Sequence, residues 1–99
     1  MEKNIEEILS IIRKSKPELL NNFGVENIAV FGSFVKTEQK KNSDIDIMVS
    51  LKPGYKTFDN FMELRFYLEE KLQSNIDLTI KESIRKEFRE SIYQEAIYV

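Results

Sequence analysis

The chain contains no cysteine. That excludes disulfides, thiolate metal ligands and a cysteine nucleophile together. It contains no histidine either. Without imidazole, proton transfer and metal binding fall to Asp, Glu, Lys, Tyr or water. Basic charge is not in excess: 15 Lys and Arg stand against 17 Asp and Glu, a formal net charge of −2. A dedicated nucleic-acid binder usually carries a basic patch, so this balance argues against that class. No apolar run approaches the roughly 20 residues of a membrane span, and no secretory signal pattern opens the chain. The expected location is the cytoplasm. The 99 residues, 41% hydrophobic, predict a single domain over 1–99 with a modest core. A core of that size is marginal alone, which makes a partner chain reasonable.

What is present is patterned. Ile5, Ile8, Leu9 and Ile12 recur at helical spacing and predict a helix over about 2–15. Pro17 can begin a second short helical turn carrying Leu19 and Leu20, and Asn21, Asn22 and Gly24 mark a stop. Residues 26–31 read as a buried strand. Ser33 is a good N-cap, so a short helix is expected over 33–39, followed by a polar loop at Lys40-Lys41-Asn42-Ser43. A second strand spans 44–51 and ends at Pro53-Gly54. Phe58, Phe61, Leu64, Leu68 and Leu72 predict a core-facing helix over 57–73. Ile76, Leu78 and Ile80 alternate with Asp77 and Thr79, a third, half-buried strand. Ile84, Phe88 and Ile92 predict a last helix over 83–96. The fold class is α/β (α+β), a short mixed sheet of about three strands flanked by helices.

The chemistry concentrates at Gly32-Ser33, followed after ten residues by Asp44-Ile45-Asp46. On a strand, residues i and i+2 share a face, so Asp44 and Asp46 project together while Ile45 and Ile47 enter a core. Two like charges side by side repel unless a cation lies between them. Oxygen-only ligands of this kind suit Mg²⁺. A Gly-Ser turn opening a helix offers free N–H groups and a hydroxyl to a phosphate. A phosphate cradle beside metal-binding carboxylates is the minimum equipment for moving a phosphoryl or nucleotidyl group.

Asp77 interrupts an aliphatic strand, an unfavourable place for Asp by propensity. If that strand lies beside 44–51, Asp77 joins the other two carboxylates. Three carboxylates could then hold two divalent ions, with Asp77 nearer the attacking hydroxyl.

The stretch GSFVKTEQKKNSDIDIMV resembles the signature of the minimal nucleotidyltransferases, a branch of the DNA polymerase β superfamily. Gly32, Ser33, Asp44, Asp46 and Asp77 match its positions, and the closing RESIYQEAIYV is similar to family C-termini. The resemblance implies a nucleotidyltransferase fold, Mg²⁺ and ATP as donor. It also implies an antitoxin paired with a HEPN-domain RNase toxin, some such proteins transferring AMP onto a toxin tyrosine. In one place the chain departs from the family pattern. After Gly-Ser the family usually reads x-Ala-Arg-Gly, whereas here Phe34-Val35-Lys36-Thr37 follows. Lys36 keeps the positive charge for a phosphate and loses the bidentate fork of Arg.

The expected site is therefore Asp44, Asp46 and Asp77 as catalytic and metal-binding residues, with Gly32, Ser33 and Lys36 on the triphosphate. The alternative is a non-catalytic docking antitoxin that binds nucleotide at most. A split transferase acting on a small molecule would need a substrate-binding domain from another chain.

Overall fold

The computed structural model describes residues 4–32 and 44–99. The expected helix at 33–39 and the Lys40-Lys41 loop lie outside the described residues. The elements run α1 (Ile5–Phe23), β1 (Val25–Phe31), β2 (Ile45–Leu51), α2 (Phe58–Leu72), β3 (Ile76–Ile80), a 3₁₀ turn (Lys81–Ser83), α3 (Lys86–Glu95) and β4 (Ile97–Tyr98).

Among the described residues one sheet forms, in the order β3-β2-β1-β4. β1 pairs antiparallel with both β2 and β4, and β2 pairs parallel with β3. The sheet is mixed, as expected, but it has a fourth strand where three were expected. β4 is only two residues long, and its strand character comes from pairing Tyr98 with Ala29 and Ile97 with Val30.

α1 starts at Asn4, whose side-chain oxygen accepts the Glu7 N–H at 2.9 Å. It ends at Gly24, whose φ of +67° suits a left-handed cap. The two segments expected here are one continuous helix with Pro17 inside it. Packing explains why. Ile8, Ile12, Ser15 and Leu19 continue one buried stripe across the proline. Burying Leu19 contributes about 1.5–3 kcal/mol, enough to offset much of the proline's cost of about 3 kcal/mol. Ser15 is small enough for the crowded interior, and its hydroxyl donates to the Ile11 carbonyl at 3.0 Å.

Strand alternation sorts the side chains onto two faces. Ile45, Ile47, Val49 and Leu51 of β2, with Ile28 and Val30 of β1 and Ile76 and Leu78 of β3, pack under α1 and α2. Ile8, Ile12, Leu19, Leu64, Leu68 and Leu72 complete that core. On the opposite face, Ala29 and Met48 meet Ile84, with Ile92, Tyr93 and Ala96 partly buried against them. α3 itself has no fully buried residue, and Phe88, expected on its apolar face, is 54% exposed. Phe58, expected in the core stripe of α2, is 75% exposed. It sits at the first position of the helix, just after the Thr57 cap, whose hydroxyl accepts the Asn60 N–H at 3.1 Å. Among the described residues no helix is long and apolar enough to cross a membrane.

Candidate active site

Asp46 and Asp77 are register partners on the parallel pair β2–β3. Directly paired residues of adjacent strands point to the same side, so both carboxylates project from the face opposite α1 and α2. The reason lies in the sequence. Ile45 and Ile47 flank Asp46, and Ile76 and Leu78 flank Asp77; all four are buried under the helices, which turns the aspartates away. Asp46 is half-buried and Asp77 is exposed.

The closeness of the two carboxylates has an electrostatic consequence. The Asp46 carboxyl is pushed up from 3.8 to about 6. Burial is the largest cause, followed by the charge of Asp77, a hydrogen bond with Asp77 that favours the protonated form, and the charge of Asp44. Asp44 stands just before β2, exposed, and has the weakest of these influences. The tight unit is thus a pair rather than a trio. Among the described residues no three carboxylates close into a metal-holding group.

Gly32 completes the near environment. β1 ends at Phe31, which pairs with Asp46 across β1–β2. The next residue, Gly32, turns with φ +80°. A Cβ there would fall on Asp46 Oδ2 and lie 2.9 Å from Asp46 Cγ. Glycine is therefore required twice, for the left-handed backbone and for the space the carboxylate occupies. The sequence motif placed Gly32 on a phosphate; its steric duty toward Asp46 was not read from the sequence, because it depends on the β1–β2 register. Ser33 and Lys36 lie outside the described residues.

The arrangement is a glycine bend against two apposed carboxylates. The donors are all oxygen, and the like-charge strain on Asp46 is what a bound divalent cation relieves. Two carboxylates are compatible with such an ion only if water and substrate phosphate supply its remaining ligands.

Residues 12–99 match the Nucleotidyltransferase domain family. The chain belongs to that family. Within it the chain is a minimal nucleotidyltransferase, homologous to the MntA-like antitoxins of HEPN/MNT toxin–antitoxin pairs. The protein adenylyltransferase MntA of Thermococcus cleftensis is 40% identical over 95 residues, covering 96% of this chain and 95% of that protein. A solved structure provisionally described as a minimal nucleotidyltransferase superposes with a TM-score of 0.80 at 27% identity, over 97% of this chain and 96% of the other. A chain from a toxin–antitoxin crystal structure with AMP-PNP gives a TM-score of 0.68 at 25% identity, over 86% of this chain and 69% of that one. This minimal nucleotidyltransferase is thus an enzyme of the nucleotide-transferring class, and its fold is the one its motif implied.

Proposed function

We propose that this minimal nucleotidyltransferase transfers AMP from ATP to a hydroxyl of a partner protein, a HEPN-type RNase toxin. The observation that carries the site assignment is the in-register pairing of Asp46 with Asp77 beside the Gly32 bend. Asp44, Asp46 and Asp77 would hold Mg²⁺, two ions in the full complex. When bound, those ions supply charge stabilisation of the triphosphate and a lowered pKa for the attacking hydroxyl.

The chain's own residues do the rest. Ser33 and the N–H groups after Gly32 hold the β- and γ-phosphates, with Lys36 as an added positive charge. Asp77 is exposed on the edge strand of the sheet, which would leave room for a protein hydroxyl beside it. It orients that hydroxyl or accepts its proton. The hydroxyl oxygen bonds to the α-phosphorus, the bond from that phosphorus to the β-phosphate bridging oxygen breaks, and pyrophosphate leaves. The acceptor keeps AMP. The mildly acidic chain needs no nucleic-acid surface for this task.

The test is the intact mass of the partner after incubation with Mg²⁺ and each of the four nucleoside triphosphates. A gain of AMP with ATP, lost in the Asp44→Ala/Asp46→Ala double variant, is the expected result. Undiminished AMP transfer by that folded double variant contradicts it. An unmodified partner that is nevertheless neutralised points to the docking antitoxin.

A further inference from the structure

The two flanks of α2 differ. One is taken by α1. The Tyr67 hydroxyl donates to Glu18 at 2.7 Å, and its ring lies 5.1 Å from that of Phe23. On the other flank Glu69 reaches the outer strand β3 and accepts the Ile76 N–H at 3.4 Å. Phe58, Met62 and Phe66 recur every four residues along this second flank. Phe58 is 75% and Phe66 57% exposed, and Met62 joins neither hydrophobic cluster. Two exposed phenylalanines in line on one helix are an unusual expense for a small soluble domain.

The charges around this stripe are arranged symmetrically about Met62. Asp59 lies three residues before it and Arg65 three residues after it, just as Phe58 and Phe66 lie four before and four after. Arg65 holds its buried Nε 3.6 Å from Glu69 in an i,i+4 ion pair, while its side chain is 41% exposed, which leaves the outer N–H groups of the guanidinium for a second carboxylate. We propose that two copies of this chain pair through this flank, with their α2 helices antiparallel about a two-fold axis at Met62. Phe58 then meets the partner's Phe66, and Asp59 meets the partner's Arg65. Both contacts occur twice, as an isologous interface demands. An unrelated partner would not need this symmetry of apolar and charged positions; a second copy does. The helices rather than the β3 edges make the contact, because Glu69 already caps the Ile76 N–H on that edge. The surface is small, so the dimer forms reversibly at micromolar concentration. The inference is independent of the proposed chemistry.

Sedimentation velocity of the full chain over about 5–500 μM tests it. The weight-average mass should rise from one chain toward two. Phe66→Asp should raise the dissociation constant at least about tenfold while circular dichroism stays unchanged. Phe58→Asp, at the more exposed position, serves the same purpose if Phe66→Asp misfolds. Asp59→Arg and Arg65→Asp should each weaken the dimer, and combining them should restore it. A monomer at every concentration overturns the proposal. So does a dimer indifferent to both phenylalanine variants, or a charge-swapped double variant that stays as weak as the single ones. Loss of toxin binding by Phe66→Asp in a chain that is always monomeric would give the flank to the toxin instead.

Discussion

The two faces of the sheet follow different rules. The face under α1 and α2 is an uninterrupted apolar layer in which Ile8, Ile45, Ile47, Leu64, Leu68 and Leu72 have no solvent exposure at all. The opposite face carries Ala29 and Met48 under a loosely seated α3, and at its end the apposed pair Asp46 and Asp77. Two carboxylates placed on the first face would each have to be desolvated inside a close-packed core. On the second they keep access to solvent and ligand. One face holds the chain folded so that the other can hold charges that oppose folding.

Breaking the first face should cost most. Leu68→Ala removes a fully buried side chain and should lower stability by about 2–5 kcal/mol, read as a fall in urea midpoint. The matching truncation on the second face, Ile92→Ala, removes a half-buried contact of α3 and should cost about 1 kcal/mol or less. Equal losses would erase the distinction between the faces.

Gly32→Ala strikes the junction. The left-handed backbone and the collision with Asp46 should cost about 1–3 kcal/mol of stability. The displaced carboxylate should slow AMP transfer about a hundredfold. Unchanged transfer with a normal melting temperature would show that Gly32 is merely a turn.

The smallest effect has the opposite sign. Asp46 binds its proton more tightly folded than unfolded, since its folded value is about 6 against 3.8. Its contribution to metal-free stability is thus full below about pH 4 and is lost as pH rises through about 6. Asp46 is half in solvent, so the loss is screened to below about 1 kcal/mol. Asp46→Asn should flatten that slope and make the metal-free protein slightly more stable at pH 7.5, by a few degrees of Tm, although it abolishes transfer. A thermal melt series from pH 4 to 8 checks this; a variant that parallels the wild type at every pH would refute it.

Much of this was legible in the sequence for a physical reason. Asp46 and Asp77 each take the polar position between two apolar ones (Ile45 and Ile47, Ile76 and Leu78), and a period of two assigns each residue to a face without any knowledge of neighbours. That β2 and β3 are adjacent, parallel and in register at these residues is a tertiary fact that no local pattern carries. The same limit hid β4, since two residues have no periodicity, and hid the steric role of Gly32, which depends on a residue fourteen positions away. Pro17 misled because its local preference lost to the buried stripe that ends at Leu19. Phe58 misled because its spacing fits the core stripe while its place at the mouth of α2 leaves it in solvent.

The central claim is that the strained pair Asp46–Asp77 exists to receive a divalent ion with a triphosphate. The direct measurement is the melting temperature at pH 7.5 with and without Mg²⁺ plus a non-hydrolysable ATP analogue, for the wild type, Asp46→Asn and Asp77→Asn. The wild type should gain several degrees on adding ligand, and neither variant should gain, although both fold at least as well without it. Equal gains in all three proteins would contradict the account.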